Sequence, residues 1–346
     1  MNSKKVEKCA IMAVIIGLLI GCIGEGYNTT QQGTITPATD TPTATLLQEV
    51  SVAPAKTQTP APTDTPTPEP TATPAPTDTP TPSPEPTPTP RFWDKFVVGE
   101  PVVEEDSYRS ETVAVFLTSV ADDSNTYSIY PLVYHIADIY LSEPTDFRSA
   151  FTHENFHYRY AYPMEQLVRD NNAMLAISGD FIRSRTTGLC VRNGVVYRKT
   201  HDPSRDVCVF YRDGHIETFD ATATPVDTIL NDPEVWHVIG FGPSLLDEEG
   251  KAKEKFHTDV GWYNPRVVIG YYEPGHYAFL YVEGRQDGYS QGLQMQGLSK
   301  LCESLGFSVA FNLDGGETAR MYFCGNSVGR HYSKRPLHDI FYIAYP

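Results

Sequence analysis

Short apolar segments separated by turn residues recur along the second two-thirds of the chain and predict mainly β-strands. Two of the turns, Arg212-Asp213-Gly214 and Glu273-Pro274-Gly275-His276, lie between such segments, and each predicts a hairpin. The hairpin strands are predicted at residues 207–211 with 215–219, and at 267–272 with 277–282. Further strands are predicted at residues 112–117, 128–133, 135–141, 173–178, 307–313, 321–324 and 340–344.

Helical spacing of apolar side chains occurs in two segments. Residues 163–171 place Met164, Leu167 and Val168 on one face, and a proline suits the first turn. Residues 295–305 form a second apolar stripe, which Gly306 ends as a C-terminal cap. Many strands and few helices, without strict βαβ alternation, predict the α+β class, with a mixed β-sheet core and a few packed helices in a single domain.

The amino terminus has the pattern of a secretory signal. Three lysines, at positions 4, 5 and 8, precede an apolar run from Cys9 to Gly24 that is short for a membrane span. Leu19-Ile20-Gly21-Cys22 resembles the lipobox of bacterial lipoproteins, which predicts a signal peptide over residues 1–22 and lipidation of Cys22. The alternative is an uncleaved signal anchor. Both interpretations tether the chain to the membrane, and we expect a lipid-anchored protein on the extracellular face of a bacterial cell membrane.

Residues 23–90 form a Thr/Pro-rich segment with almost no side chains to bury. The tract contains 16 of the 28 prolines, and PAPTDTPTP occurs at Pro60 and again at Pro74. Proline lacks the amide donor and fixes φ, so this composition predicts a disordered, extended linker without helix or central strand.

The remaining residues, 91–346, are predicted to be the folded domain. Of the formal charge of −16, they carry −12. This acidity excludes a nucleic-acid partner, because phosphate recognition requires a basic face. No run reaches twenty apolar residues, which excludes a polytopic membrane protein.

Two polar clusters follow predicted buried strands. Ser178-Gly179-Asp180-Phe181 comes directly after Leu175-Ala176-Ile177, and Asp314-Gly315-Gly316-Glu317-Thr318 comes directly after Phe311-Asn312-Leu313. Polar groups at the ends of apolar strands are held rigidly and face outward, and paired glycines let the backbone approach a ligand. The alternative is that each cluster is an ordinary turn.

The stretch from about residue 113 to 344 resembles the phosphodiester glycosidase family, relatives of the enzyme that uncovers mannose 6-phosphate on lysosomal hydrolases. Asn312-Leu313-Asp314-Gly315-Gly316 is the most distinctive of the shared motifs. The others are Ala176-Ile177-Ser178-Gly179-Asp180-Phe181, Arg192-Asn193-Gly194-Val195-Val196-Tyr197-Arg198, Phe241-Gly242-Pro243-Ser244-Leu245, Asn264-Pro265-Arg266-Val267-Val268-Ile269-Gly270 and Val282-Glu283-Gly284-Arg285-Gln286 with Ser290-Gln291-Gly292.

The chain also departs from the family pattern. Ser178 replaces an asparagine, Glu317 replaces the third glycine of a Gly-rich run, and Glu283 replaces an aspartate. His338 lies near a position where serine is common. Altered specificity and lost activity are both compatible with these changes.

The resemblance implies hydrolysis of a sugar-1-phosphodiester in a surface or environmental glycan. Asp180 and Asp314 are the expected catalytic carboxylates, with Glu317 as a substitute, because glycoside hydrolysis uses a carboxylate pair. Arg266 and Arg285 are expected to bind the phosphate. The other expected substrate-binding residues are Ser178, Gly179, Gly315, Gly316 and Thr318.

This chemistry requires no cofactor, although a divalent cation remains an alternative. The expected partners are a carbohydrate or glycosyl-phosphate substrate and the membrane. The second function class is a non-catalytic module that binds glycan or cell wall on the same fold.

A third, weaker interpretation rests on a zinc-peptidase pattern. His153-Glu154-Asn155-Phe156-His157 fits H-E-x-x-H, in which two histidines on one helix face bind zinc. The following residues show no apolar helical stripe, and Pro163 closes the segment. His153 and His157 are therefore weak metal candidates.

Four cysteines lie in the predicted domain: Cys190, Cys208, Cys302 and Cys324. An outward location permits disulfides, and four cysteines allow three pairings. Cys302 lies on the helical stripe and Cys208 alternates with Phe210, so buried thiols are the simpler expectation for both.

Overall fold

The described part of the chain forms three antiparallel β-sheets with short helices packed against them. The computed structural model describes residues 91–346 except for 183, 184 and 332. The predicted signal peptide, Cys22 and the Thr/Pro-rich linker lie outside the described residues. None of the helices in the described part is long and apolar enough to cross a membrane.

The strands are β1 (Val102–Val103), β2 (Ser107–Arg109), β3 (Val113–Asp122), β4 (Leu132–Leu141), β5 (Arg148–Phe151), β6 (Ala173–Ser178), β7 (Cys190–Arg192), β8 (Val195–Arg198), β9 (Val207–Tyr211), β10 (Ile216–Phe219), β11 (Val235–Ile239), β12 (Arg266–Glu273), β13 (His276–Val282), β14 (Val309–Asn312), β15 (Met321–Phe323), β16 (Asn326–Ser327) and β17 (Asp339–Ala344). The α-helices are α1 (Met164–Asp170), α2 (Val226–Asn231) and α3 (Met295–Ser304). Short 3-10 turns occur at Pro144–Asp146, Thr152–Glu154 and Gly316–Thr318.

The largest sheet has seven strands in the order β1-β2-β3-β4-β13-β12-β14. The two five-stranded sheets have the orders β10-β9-β11-β7-β8 and β16-β15-β6-β17-β5. Every strand pair between described residues is antiparallel. The expectation of a mixed sheet was therefore wrong. The strands of the three observed sheets are joined by hairpins and long loops, whereas parallel pairing needs crossover connections, which are usually helical.

The central strands of the seven-stranded sheet, β4, β13 and β12, are buried on both faces. Val267 and Ile269 of β12 point into the main core, together with Ile177 of β6 and Phe210 of β9 from the smaller sheets. Val268, between them, points to the opposite face. There it packs against the apolar stripe of α3, formed by Met295, Leu298, Leu301 and Cys302. This burial explains why β12 has a nearly continuous apolar sequence.

The longest apolar patterns were predicted best. Both hairpins form, β6 occupies residues 173–178, and α1 and α3 lie where the helical spacing placed them. Gly306 follows α3 with φ of +77°. The segment 128–133 was wrong over most of its length, because strand β4 begins only at Leu132. The short strands β7, β8 and β11 were missed, since three to five residues carry too little alternation to be distinguished from loops.

Candidate functional site

The two polar clusters predicted from the sequence lie side by side. The amide of Asp314, just after β14, donates to the carbonyl of Gly179, just after β6, at 3.2 Å. The amide of Gly179 in turn donates to the carbonyl of Asp339, the first residue of β17, at 3.1 Å. Three strand ends from two sheets therefore bring Asp180, Asp314 and Asp339 into one region.

Only glycine fits at position 179, because the Asp339 carboxyl lies directly against its Cα. A Cβ atom at this position would lie 2.2 Å from Oδ2 of Asp339, a side chain that is almost fully buried. The same carboxylate oxygen accepts the amide of Asp180 at 2.9 Å. The Ser-Gly-Asp sequence thus lets the backbone after β6 lie directly on the Asp339 carboxyl.

Asp180 points into the protein. Its Oδ2 atom accepts hydrogen bonds from Arg192 at 2.8 Å and from the amide of Gly240 at 3.1 Å. Both side chains of the Asp180–Arg192 ion pair are 1% exposed, and Phe341 lies under the guanidinium with its ring centre at 5.0 Å. Asp180 therefore forms a buried ion pair that holds the backbone of the site in place. Its assignment as a catalytic residue stays a prediction.

Asp314 faces two adjoining pockets. Its Oδ2 accepts a 2.8 Å hydrogen bond from the hydroxyl of Thr318. Burial, together with the nearby charges of Asp339 and Asp180, raises the pKa of Asp314 to about 7, against the opposing effects of Thr318 and Arg335. A carboxyl group with this pKa is able to gain and lose a proton near neutral pH.

Asp339 is a site residue that the sequence reasoning did not single out. Burial, together with the nearby charge of Asp180, raises the pKa of Asp339 to about 6, against the opposing charge of Arg192. The sequence feature that indicates Asp339 is a carboxylate at the first position of an apolar strand. In an antiparallel pair, the first residue of one strand lies at the same sheet edge as the last residue of its neighbour, so Asp339 lies beside the end of β6.

The two pockets share Asp314 and Arg335 in their walls. The first is lined by Ala161, Gly179, Phe181, Asp314, Thr318, Arg335, Pro336, Leu337, His338 and Asp339. The second is lined by Phe241, Val260, Asn264, Arg266, Arg285, Asp314, Gly315, Gly316, Glu317 and Arg335. Asp314 thus lies between a pocket with a second carboxylate and a pocket with three arginines.

The two arginines predicted to bind phosphate have different environments. Arg266 is 2% exposed and donates to the carbonyls of Leu293 at 3.0 Å, Val260 at 2.7 Å and Trp262 at 2.5 Å. Burial, with the nearby charge of Arg285, lowers the pKa of Arg266 to about 9. Arg285 is exposed, and its guanidinium bonds Oδ1 of Asn264 at 3.1 and 2.6 Å. Arg285 is therefore the more accessible of the two.

Ser178 and Glu317 are two predicted site residues that differ from the family pattern. The Ser178 side chain is completely buried, and its hydroxyl donates to the carbonyl of Asp314 at 3.4 Å. Glu317 is exposed and accepts from Arg335 at 3.4 Å. Glu317 thus neutralises part of the positive charge in the second pocket.

The helical premise of the zinc pattern was wrong. Thr152–Glu154 is a single 3-10 turn, with His153 at φ of +59°, and Asn155 is already extended. His153 and His157 consequently do not share the face of an α-helix. The described residues contain one group of three potential metal ligands, Asp206, Asp220 and His257, elsewhere in the fold.

All four cysteines of the described part have free thiols. Cys208 and Cys302 are fully buried, as predicted, and burial raises the pKa of both thiols. Nucleophilic cysteine chemistry is thereby disfavoured at these two positions.

Comparison with known proteins gives a family and a fold. A family model described as phosphodiester glycosidase matches residues 171–344. The zebrafish N-acetylglucosamine-1-phosphodiester alpha-N-acetylglucosaminidase catalytic domain, auto-inhibited by its pro-peptide, is 16% identical, with a TM-score of 0.51 over 68% of this chain and 83% of that chain. A hypothetical protein from Synechocystis is 12% identical, with a TM-score of 0.49 over 67% of this chain and 62% of that chain. No curated protein matches this chain in sequence.

Proposed function

This chain belongs to the phosphodiester glycosidase family, and from that premise we propose that it hydrolyses the bond between a sugar and phosphate in a sugar-1-phosphodiester. The observation that carries the proposal is the position of Asp314, whose carboxyl has a pKa of about 7 and lies between a carboxylate-lined pocket and an arginine-lined pocket. The name of the zebrafish enzyme supports an N-acetylglucosamine-1-phosphodiester as the first substrate to test.

The reaction divides between the two pockets. The sugar occupies the first pocket, where the ionised carboxylate of Asp339 stabilises positive charge that develops at the anomeric carbon. The phosphate occupies the second pocket, and Asp314 donates its proton to the leaving phosphate oxygen. Water adds to the anomeric carbon and gives up a proton to Asp314, which restores the acid and completes hydrolysis. Asp180 fixes Asp339 through its backbone amide, and none of these steps requires a cofactor.

Arg285 and Arg335 are the proposed phosphate ligands, and Gly315 and Gly316 let the phosphate approach the backbone. Arg266 holds the loop that carries Val260 and Trp262, because its three hydrogen bonds go to main-chain carbonyls. We assign Arg266 a positioning role for that reason.

We expect Arg335→Ala and Arg285→Ala each to raise the KM for a GlcNAc-1-phosphodiester by about tenfold, since each removes a charge-assisted hydrogen bond worth about 1.5 kcal/mol. Steady-state kinetics at constant ionic strength measure the effect. Lys300→Ala is the matched control, because it removes the positive charge of an exposed lysine on α3, and it should leave KM unchanged. Equal KM values for all four proteins would contradict the phosphate assignment.

The pH dependence of kcat/KM should be bell-shaped, with its maximum between about pH 6 and 7. Below this range Asp339, whose pKa is raised to about 6, becomes protonated and loses the charge that stabilises the anomeric centre. Above it Asp314, whose pKa is raised to about 7, loses the proton that the leaving group needs. Because the two carboxyls interact, the measured values belong to the pair. The residual activity of Asp339→Asn should lack the acidic limb, and a flat wild-type profile from pH 5 to 8 would contradict the mechanism.

A non-catalytic glycan-binding function is the second candidate, and one observation favours it. Trp262 is 77% exposed, two residues before Asn264 in the wall of the second pocket, and presents an aromatic face for a sugar ring. Incubation with a GlcNAc-1-phosphodiester or with wall teichoic fragments separates the candidates. Released sugar supports hydrolysis, whereas saturable binding without release supports the binding module.

The proposal also includes an extracellular location and a membrane tether. The basis is the lipobox-like sequence ending at Cys22 and the Thr/Pro-rich segment 23–90 that follows it. A lipidated Cys22 would place the glycosidase region at a distance from the membrane, where a surface or environmental glycan is accessible.

A further inference from the structure

A second constellation of reactive side chains lies on the seven-stranded sheet. Ser119 on β3 pairs in register with His135 on β4, and the serine Oγ lies 2.7 Å from Nδ1 of His135. The other ring nitrogen, Nε2, lies 2.8 Å from Oε1 of Glu283, which follows β13. Three adjacent strands therefore align a hydroxyl, an imidazole and a carboxylate in one hydrogen-bonded chain.

The carboxylate end of this chain is sealed from solvent. Glu283 is completely buried, and it also accepts hydrogen bonds from the Tyr289 hydroxyl at 3.0 Å and from the amide of Arg330 at 2.9 Å. Burial alone raises the pKa of a carboxyl group, but these bonds and that of His135 lower the pKa of Glu283. Gly329 covers the pair so closely that a Cβ atom there would lie 2.3 Å from Nε2 of His135.

An ionised Glu283 selects one tautomer of His135. In the neutral ring, a proton on Nε2 is directed at the Glu283 carboxylate, and this tautomer leaves Nδ1 to accept from Ser119. The ring of Tyr281 stacks on the imidazole at 5.6 Å and fixes its plane. A serine whose base is oriented by a third, acidic group has the arrangement that activates hydroxyl nucleophiles.

The serine end of the chain opens to solvent. Ser119 is exposed and lines a surface cavity of about 730 Å³. The amide of Leu117 points away from β4 and donates to the carbonyl of Asp106 at 2.7 Å. By the two-residue period of a strand, the amide of Ser119 points in the same direction, beyond the residues of β3 that pair with β2. That amide is the candidate donor for an oxyanion at Ser119.

We propose that Ser119, His135 and Glu283 form a second hydrolytic site, which cleaves carboxylic esters. Oγ of Ser119 attacks the ester carbonyl while its proton passes to Nδ1 of His135. The alcohol leaves with that proton, and an acyl-serine remains. Water, deprotonated by His135, then attacks the acyl group, releases the carboxylic acid and returns the proton to Ser119.

The cavity wall defines the preferred ester. Glu104, Glu105 and Asp106 all line it, so an anionic ester is repelled and an ester that carries an ammonium group is attracted. The second site therefore has the opposite charge preference to the arginine-lined pocket beside Asp314. None of its lining residues belongs to the two pockets at Asp314.

Hydrolysis of 4-nitrophenyl glycinate and 4-nitrophenyl acetate by the purified protein tests the proposal. We expect the ammonium ester to be preferred, and Ser119→Ala to lower the rate with this ester by about 100-fold or more. A fluorophosphonate probe should add to wild-type protein with loss of fluoride, and peptide mapping should place the adduct on Ser119. Because Ser119 is exposed, the alanine variant should fold normally.

Two serine variants serve as controls. Ser124→Ala changes an exposed serine that bonds Thr126, and it should retain the full rate and the label. Ser327 lines the same cavity and lies 3.0 Å from Nδ1 of His331, so Ser327→Ala tests the other serine–histidine pair. Equal rates for wild type and Ser119→Ala, or a label on Ser327 in place of Ser119, would overturn the proposal.

Discussion

Asp314→Asn should strongly reduce hydrolysis of a sugar-1-phosphodiester and, at the same time, make the folded protein more stable at pH 8. The activity loss is expected to be about 10³-fold, within the range for removal of a general acid. The stability gain has a separate cause. Burial, together with the nearby charges of Asp339 and Asp180, raises the pKa of the Asp314 carboxyl from 3.8 to about 7.

The direction of the stability effect follows from proton binding. Between about pH 4 and pH 7 the folded state binds the Asp314 proton more tightly than the unfolded state does, so stability falls as the pH rises through this window. Above pH 7 the ionised carboxylate is destabilising, and asparagine removes that charge while it retains an acceptor for Thr318. The pocket is open to solvent, so we expect a gain of about 1 kcal/mol, well below the full shift.

Urea unfolding at pH 4 and pH 8, with sugar release measured on the same preparations, tests both parts. The difference in unfolding free energy between Asp314→Asn and wild type should be larger at pH 8. Asp247→Asn is the matched control, since it changes a carboxylate on an exposed turn remote from the site residues. An Asp314→Asn protein that retains full activity would remove Asp314 from the mechanism.

Asp180→Asn should lower the free energy of unfolding by about 3 kcal/mol or more, because it leaves Arg192 charged and buried without its partner. The loss should be visible as a lower urea midpoint at an unchanged m-value. Asp146→Asn breaks a 2.6 Å ion pair with Arg148 that is 29% and 45% exposed, and it should change stability by less than about 1 kcal/mol. Similar losses for both variants would show that the Asp180–Arg192 pair has no special contribution.

Turnover by Asp180→Asn distinguishes its two possible roles. The sequence comparison predicts that this variant loses activity, and the geometry offers a route, since the Asp180 amide and side chain hold Asp339, Gly240 and Arg192 in place. Activity should therefore be measured below the unfolding midpoint and expressed per folded molecule. Full activity in both Asp180→Asn and Asp314→Asn would contradict the catalytic assignment as a whole.

The sequence by itself determined the family resemblance, the polar clusters and the longest elements. Strand β6 and helix α3 were predictable because many consecutive side chains repeat one period, and burial of one face or stripe requires that repeat. Gly179 and Asp314 were identifiable because they follow apolar strands in recognisable motifs. Local pattern therefore decided which residues were candidates.

Only the tertiary structure decided how those candidates are used. It placed Asp180 in a buried ion pair and Arg266 on main-chain carbonyls, while it brought Asp339 to the pocket from a strand 25 residues beyond Asp314. It also joined Ser119, His135 and Glu283, which no motif links. The physical reason is that burial, ion pairing and pKa shifts depend on neighbours distant along the chain, and strand register across antiparallel sheets sets those neighbours.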